Sequence, residues 1–289
     1  MTSPVHAPFC ADRACVENVT VVENVRLARD TFRLRFDCPT IAERIVPGQF
    51  IMLKLTGADD PLLARPLALY ETVLDADGRP RGLDVVYLVV GKLTARLAQL
   101  EPGAGLTVWG PLGNGFETGP AEHLLMVAGG IGQTPFLALA RERLGQRRYG
   151  NPPRSAARSA RVTLCYGART KDYLAGVEDF EQLGVEVSLS TDDGSAGHQG
   201  LVTDLVEQAL AASPAARVVC CGPERMMEAV ARLCACRGAD CQVSLETPMA
   251  CGVGICFSCV TKVRDDERGW DYRRTCVEGP IFNAADIVW

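Results

Sequence analysis

Four cysteines near the carboxyl end of the chain have the spacing of iron–sulfur cluster ligands. Cys251, Cys256 and Cys259 follow the pattern C-x4-C-x2-C, and sixteen residues separate Cys259 from Cys276. This spacing is typical of plant-type [2Fe–2S] centres, in which four thiolates converge on two irons. A structural zinc site and a chance group of cysteines are the alternatives, but zinc sites usually use two paired knuckles, which the isolated Cys276 does not match. The motif therefore predicts a [2Fe–2S] cluster held by these four cysteines.

A glycine-rich segment at residues 127–135, VAGGIGQTP, is typical of a loop that binds a dinucleotide phosphate. It follows an apolar strand predicted at 124–128 and precedes an apolar helix predicted at 135–144. Glycines let the backbone approach a pyrophosphate, and the start of the helix adds a positive dipole. Because the full G-x-G-x-x-G pattern is absent, a tight strand-to-helix turn is the alternative interpretation. A second turn, CCGP at 220–223, ends another predicted strand of the same sheet.

A third signal lies in the first half of the chain. The segment RPLALY at 65–70 is predicted as a strand, and GKLT at 91–94 opens a short helix. A helix start that carries Lys and Thr suits a phosphate group. Taken without the other motifs, Arg65 is equally well interpreted as an ordinary surface arginine.

Two kinds of domain are needed to position these motifs. Residues 16–118 contain short β-rich runs separated by turn signals, which predicts an antiparallel β-barrel. From residue 123 onwards apolar strands alternate with helices, which predicts βαβ units and a parallel sheet. The individual predictions are strands at 19–22, 31–36, 50–55, 65–70, 83–90, 124–128, 162–166, 185–189, 217–221 and 242–245, helices at 94–100, 135–144, 201–210 and 224–236, and a surface loop at 151–160.

The composition excludes several classes of protein. A chain of 289 residues predicts two domains. Lys and Arg number 30 against 35 Asp and Glu, and the net charge of −5 disfavours nucleic acid as a ligand. No apolar run approaches the roughly 18 residues of a membrane span, and no secretory signal is visible. Thirteen cysteines without such a signal indicate a reducing compartment, so we expect a cytoplasmic protein.

Together these motifs resemble those of the ferredoxin-reductase flavoproteins. The shared patterns are R-P-x-[SA], G-K-x-T, G-G-I-G-x-T-P, C-G-P and the cysteine-rich tail. The tail narrows the resemblance, because ETPMACGVGIC at 246–256 with CVEGPIF at 276–282 is similar to the electron-transfer subunit of class 1B dihydroorotate dehydrogenase. The resemblance extends from about Val16 to Trp289.

The resemblance implies three parts after an N-terminal extension at 1–15. They are an FAD-binding antiparallel β-barrel at 16–120, a Rossmann-like NAD-binding parallel α/β domain at 121–243, and a [2Fe–2S] subdomain at 244–289. We expect metal ligation, rather than a core of its own, to hold the last part in shape.

The resemblance also implies the cofactor contacts, and it implies no catalytic acid or base. The expected FAD contacts are Arg65, Pro66, Leu67 and Ala68 for the flavin and its phosphates, and Gly91, Lys92, Leu93 and Thr94 for the pyrophosphate. The expected NAD contacts are Gly129, Gly130, Gly132, Gln133 and Pro135, with Cys221, Gly222 and Pro223 near the nicotinamide. Two positions depart from the family pattern, because Ala68 replaces a frequent serine and Leu93 replaces a usual glycine. We therefore expect one hydroxyl partner fewer and a less close approach of the backbone to the phosphate.

The function implied is that of an oxidoreductase subunit that passes electrons between NAD(H), FAD and the cluster. The expected partner is an FMN-containing dihydroorotate dehydrogenase catalytic subunit, in a 2+2 heterotetramer that forms orotate for pyrimidine biosynthesis. Hydride transfer moves two electrons and an iron–sulfur centre moves one, and a flavin does both. One alternative is an NAD(P)H reductase that feeds a hydrogenase, a ferredoxin or another dehydrogenase, and another is an iron–sulfur redox sensor.

Four further residues have simpler interpretations. Glu246 either faces the flavin or is a surface carboxylate at the end of a strand. Cys234, Cys236 and Cys241 are expected to be small core residues.

Overall fold

The computed structural model describes residues 11–289, so Cys10 and the rest of the predicted extension before it lie outside the described residues. Two seven-stranded sheets and one hairpin make up the described part. The strands are β1 (Cys15–Ala28), β2 (Thr31–Asp37), β3 (Phe50–Leu55), β4 (Arg65–Ala68), β5 (Glu71–Leu74), β6 (Pro80–Leu88), β7 (Gly105–Leu112), β8 (His123–Gly129), β9 (Arg161–Ala168), β10 (Glu186–Thr191), β11 (His198–Gln199), β12 (Arg217–Cys221), β13 (Cys241–Ser244), β14 (Val260–Asp265), β15 (Gly269–Arg274) and β16 (Ile281–Asn283). The α-helices are α1 (Pro39–Ala42), α2 (Lys92–Leu97), α3 (Phe136–Arg143), α4 (Val177–Gln182), α5 (Val202–Ala212) and α6 (Glu224–Arg237).

The first sheet is antiparallel and barrel-like, with the strand order β4-β3-β7-β1-β2-β6-β5. Strand β1 is long enough to pair with both β2 and β7, and it bends through two register shifts. The alternating residues Leu34, Phe36 and Val85 are fully buried inside this sheet. Helix α2 follows β6 and buries Leu93 and Leu97 against the same core. This packing places the G-K-L-T segment at the end of a barrel strand.

The second sheet has the order β11-β10-β9-β8-β12-β13-β16, and its first six strands are parallel. Every residue of the central strand β8 is buried, as expected for a strand covered by helices on both faces. In the pairing of β8 with β12, Ala128 lies opposite Cys221. The glycine-rich loop and the C-G-P turn therefore lie side by side at the carboxyl edge of the sheet.

The tail after β13 packs on both sheets. Strand β16 joins the parallel sheet as an antiparallel edge strand beside β13, and β14 and β15 form a separate hairpin. Met249, Cys259 and Cys276 pack with Phe50 and Met52 of the barrel sheet. The buried residues of the tail thus belong to cores that it shares with the other two domains.

Several local predictions need correction. The predicted strand at 83–90 ends at Leu88, and the predicted helix at 94–100 is α2, which begins and ends earlier. Cys234 and Cys241 are buried as expected, but Cys236 is exposed, because it faces solvent on α6, and its prediction as a core residue was wrong. The segment 151–160 contains no helix or strand, and Arg154 anchors it through an ion pair of 2.6 Å with the buried Glu142.

Candidate functional site

A cavity of about 850 Å³ opens at the carboxyl ends of the parallel strands. The loops after β8, β9, β10 and β12 form its floor, and Thr31 and Leu88 of the barrel sheet form one side. A third wall comes from the tail, through residues 245–248, Val260, Thr261 and the last three residues. A cavity of this size suits a ligand as large as a dinucleotide, and this edge is where open α/β sheets bind ligands.

The predicted NAD contacts divide into two groups. Gly129, Gly130, Gly222 and Pro223 line the cavity. Gly132, Gln133, Pro135 and Cys221 are buried and are not among its lining residues. The side chain of Gln133 is fully buried, and neither its amide nitrogen nor its amide oxygen has a hydrogen-bond partner. This unpaired amide lies beneath the glycine-rich loop and not at the cavity surface.

The glycine-rich loop after β8 and the C-G-P turn after β12 contact each other so closely that Gly132 and Gly222 have no room for a side chain. A Cβ atom at Gly132 would lie 2.3 Å from the carbonyl oxygen of Cys221, and one at Gly222 would lie 2.9 Å from the backbone nitrogen of Gly129. Gly130 differs, because its φ is +55° and an added Cβ would meet no atom within 4 Å. The backbone at Gly130 is therefore bare towards the cavity, as close approach of a pyrophosphate requires.

Glu246 lines this cavity two residues after the end of β13. Solvent reaches its carboxylate through the cavity, but protein surrounds most of the group, and this burial raises its pKa. Burial, and secondarily the charge of Glu246, also raise the pKa of the Cys221 thiol. Cys221 therefore stays a neutral thiol beside the predicted nicotinamide region. An orientation of Glu246 towards the flavin stays a prediction.

Helix α2, which begins in the predicted FAD segment 91–94, is tied to the loop before β4 through Asp60. Lys92 forms an ion pair with the Asp60 carboxylate, and Arg96 contacts both the carboxylate and the backbone carbonyl of that residue. The hydroxyl of Thr94 accepts the backbone N–H groups of Val90 and Gly91 at 3.0 and 3.1 Å, so it caps α2. Lys92 and the exposed backbone of Val90 and Gly91 thus lie together at the start of α2.

The other predicted FAD segment, residues 65–68, has fewer polar side-chain groups available to a ligand. The guanidinium of Arg65 donates to the carbonyls of Leu63 and Ala64, at 3.1 and 3.0 Å. Leu67 and Leu93 are buried, whereas Pro66 and Ala68 are half-buried. None of the eight predicted FAD residues lines the dinucleotide cavity. Their contacts with FAD stay a prediction.

The four predicted cluster ligands come together as two pairs. The Cys251 and Cys256 thiols lie within hydrogen-bonding reach of each other, and the buried Cys259 and Cys276 form the second pair. In residues 11–289 no three Cys, His, Asp or Glu side chains gather as a site for a single ion. Two thiolate pairs are the arrangement that a two-iron centre needs, because each iron takes two cysteine ligands.

The loop between the first two cysteines packs closely on the barrel sheet and directs a backbone N–H at a cysteine sulfur. Gly252 has a φ of +74°, and a Cβ there would lie 2.6 Å from Cγ of Met52. The backbone N–H of Val253 donates to the sulfur of Cys251 at 3.4 Å. N–H groups directed at sulfur stabilise thiolates and tune an iron–sulfur centre. The residues present therefore fit a [2Fe–2S] group.

The electrostatics favour thiolate at one member of each pair. Hydrogen bonds from Ser258, first from its hydroxyl and then from its backbone, lower the pKa of Cys256 to about 6. A hydrogen bond from the Cys276 thiol likewise lowers the pKa of Cys259 to about 6, and the same bond raises the pKa of Cys276. Metal ligands must be deprotonated, so these thiols are prepared to bind iron near neutral pH.

Several residues that support the site gave no signal in the sequence. The indole N–H of Trp109, on barrel strand β7, donates to the carbonyl of Cys251 at 3.0 Å across 142 positions of sequence. Arg274 donates to the carbonyl of Gly254 at 2.9 Å. Thr275 donates its backbone N–H to the carbonyl of Cys259 at 2.8 Å. These contacts depend on how the tail folds back, which local patterns do not encode.

Comparison with known proteins identifies all three parts of the chain. Residues 18–116 match the oxidoreductase FAD-binding domain, residues 126–232 the oxidoreductase NAD-binding domain, and residues 246–288 the iron-sulfur cluster binding domain of dihydroorotate dehydrogenase B. The electron transfer subunit of dihydroorotate dehydrogenase B (NAD(+)) from Desulforamulus reducens is 36% identical over 265 residues, which are 91% of this chain and 94% of the relative. The one from Geobacillus kaustophilus is 37% identical over 276 residues, 94% of this chain and 98% of the relative. The chain belongs to this family.

Membership of the electron transfer subunit family confirms the predicted oxidoreductase class and the three cofactors, FAD, NAD and the iron–sulfur cluster. The family name also implies a catalytic partner subunit.

A solved structure of an NADH-dependent reduced ferredoxin-NADP oxidoreductase is 29% identical, with a TM-score of 0.76 over 94% of this chain and 90% of that one. A ferredoxin reductase of carbazole 1,9a-dioxygenase, at 22% identity and a TM-score of 0.64 over 78% of this chain and 67% of that one, shares the fold. Across residues 11–289, every helix is too short or too polar to cross a membrane.

Proposed function

We propose that this chain carries electrons between NAD(H) and an FMN-containing catalytic subunit that interconverts dihydroorotate and orotate. The observation that carries the proposal is a shared wall. Residues 245–248 line the dinucleotide cavity and lead directly into the cysteine loop that begins at Cys251. One short piece of chain thus joins the place where electrons enter to the place where they leave.

Each group of residues has a distinct task in this proposal. The bare backbone at Gly130, in the loop that Gly222 packs against, holds the dinucleotide pyrophosphate. The segments 65–68 and 91–94 hold FAD, and the two cysteine pairs hold the [2Fe–2S] group. When bound, FAD supplies the exchange between the two-electron chemistry of a hydride and the one-electron chemistry of the cluster. The protein binds and orients these groups, and no proton transfer by a side chain is required.

The test is anaerobic reduction of the purified protein. Addition of NADH should bleach the flavin absorbance first and the cluster absorbance afterwards. An iron–sulfur sensor without electron-transfer activity would show neither change, and that result would overturn the proposal. The oxidised cluster spectrum alone, before any NADH is added, tests the cysteine assignment separately.

The identity of the partner is tested by co-purification. We propose a 2+2 heterotetramer with the FMN-containing subunit, in the cytoplasm, where the eight described cysteines other than the predicted cluster ligands stay reduced thiols. Affinity capture of this chain should recover an FMN protein that reduces NAD+ with dihydroorotate only when both subunits are present. Recovery of a hydrogenase, a ferredoxin or another dehydrogenase in its place would favour the alternative of a reductase with a different acceptor.

A further inference from the structure

One threonine that lines the dinucleotide cavity is linked by hydrogen bonds to the predicted cluster ligands. Thr247 lines the cavity and is partly exposed to it. Its hydroxyl is hydrogen-bonded to the hydroxyl of Thr275, which is fully buried between the cavity and the cysteine loop. Since Thr275 immediately precedes Cys276, this contact links the cavity surface to a cluster ligand.

The direction of the hydrogen bonds can be assigned. The Thr275 hydroxyl donates to the carbonyl oxygen of Cys259 at 3.0 Å, and the Thr275 backbone N–H donates to the same oxygen at 2.8 Å. A hydroxyl has one proton to donate, so Thr275 accepts from Thr247. The chain of bonds therefore runs from Thr247 to Thr275 to Cys259.

This chain ends at the buried thiol pair. Thr275 holds the backbone of Cys259 through two donors, and the peptide bond that follows it fixes Cys276. Hydrogen bonds in series polarise one another, and groups bonded near cluster sulfurs tune the potential of the cluster. The bonded path from Thr247 thus reaches the backbone of both residues of the buried thiol pair.

We propose that Thr247 and Thr275 are positioning residues that couple occupancy of the dinucleotide cavity to the environment of the Cys259–Cys276 pair. An acceptor oxygen of a bound dinucleotide competes with Thr275 for the Thr247 proton. The Cys259 carbonyl then loses part of its polarisation, and the properties of the bound cluster shift. This inference rests on the proposed function, because it requires a dinucleotide in the cavity and a cluster on the four cysteines.

The test uses the full-length holoprotein and tetrahydro-NAD, an analogue that cannot transfer hydride. The protein is reduced chemically, and the EPR spectrum and midpoint potential of the cluster are measured with and without the analogue. In the natural protein we expect both to shift when the analogue binds. In Thr247→Val the iron content should be retained and the shift lost, whereas Thr247→Ser, which keeps a hydroxyl, should retain the shift.

Thr261→Val is the matched control, because Thr261 also lines the cavity from the tail but none of its side-chain atoms takes part in this chain of bonds. It should respond to the analogue as the natural protein does. An unchanged shift in Thr247→Val would overturn the coupling, and so would a natural protein that binds the analogue without any shift of its cluster signal. Neither result contradicts the proposed function. That proposal fails only if NADH does not reduce the flavin and the cluster.

Discussion

Cys256 is the most exposed of the four predicted ligands, and its thiol has a lowered pKa of about 6 through hydrogen bonds from Ser258. Replacement of Cys256 by serine removes one ligand but no buried side chain, so the fold should persist. We expect Cys256→Ser to lose the [2Fe–2S] EPR signal and iron while it keeps FAD and NADH-dependent dye reduction. Iron analysis and EPR of the reduced protein measure this.

Cys236→Ser is the control for that experiment. Cys236 is also exposed, but it lies on α6 and is not one of the four predicted ligands. Its iron content and EPR signal should equal those of the natural protein. A normal cluster signal in Cys256→Ser would contradict the ligand assignment.

Two glycines of one loop should respond to substitution in different ways. At Gly130 an added side chain meets no protein atom and points into the cavity, so Gly130→Val should crowd the dinucleotide. We expect the KM for NADH to rise about tenfold, which corresponds to about 1.4 kcal/mol. At Gly132 a Cβ would strike the carbonyl of Cys221, so Gly132→Ala should cost about 1–3 kcal/mol of folding free energy.

Steady-state kinetics and thermal unfolding distinguish these two effects. Gly132→Ala should lower the Tm. Gly130→Val should also lower the Tm, because a β-branched residue is strained at a φ of +55°, but of the two variants it should raise the KM for NADH more. A Gly130→Val protein with an unchanged KM would show that the loop does not approach the dinucleotide.

At the scale of elements, one buried carboxylate joins the two domains. Glu71 on β5 accepts hydrogen bonds from Arg141 on α3 at 2.6 Å and from Arg147 and Tyr149 at 2.9 and 2.7 Å. Only 8% of Glu71 is exposed. The network fixes the barrel sheet against the α/β domain, and with it the barrel side of the dinucleotide cavity.

Removal of the charge at Glu71 should destabilise the whole protein. Glu71→Gln leaves two arginines without their carboxylate, and breaking a buried ion pair costs about 3–5 kcal/mol. For a protein of this size we expect the Tm to fall by roughly 6–12 °C. The control is Glu186→Gln, whose ion pair with Arg161 is about half exposed and should be worth under about 1 kcal/mol. Equal Tm values for the two variants would refute the role of Glu71.

The sequence predicted elements best where one local pattern decided them. The apolar runs at 50–55 and 217–221 are strands with those bounds, because each contains four consecutive buried residues and is too short for a typical helix. Strands β7 and β16 were not predicted, since Gly110, Pro111 and Pro280 interrupt or flank them and their pairing partners are distant in sequence. The cysteine spacing predicted four cluster ligands; the structure places their thiols as two pairs, and their role as ligands stays a prediction. The Glu71 network and the Thr247–Thr275 contact could not be predicted, because they depend on how separate domains meet.

At the scale of the whole molecule, electrons must leave through a surface near the cysteine loop. Ile255 and Phe257 flank Cys256 and are 78% and 61% exposed. Large apolar side chains that stand together on a surface mark contacts with other proteins. Arg274 lies over the Phe257 ring at 5.2 Å and holds it in place. We therefore expect the catalytic subunit to cover this loop.

Ile255→Ser tests this expectation. Burial of an isoleucine contributes about 1.5–3 kcal/mol, so the Kd for the catalytic subunit should rise at least about tenfold. NADH-dependent dye reduction and the cluster EPR signal should not change, because Ile255 is not a ligand and does not line the dinucleotide cavity. Val22→Ser is the control, since Val22 is an exposed apolar residue on β1 of the barrel sheet and should leave the Kd as it is. Titration of the FMN-containing subunit against each variant measures the Kd, and equal values for Ile255→Ser and the natural protein would place the contact with the partner on another surface.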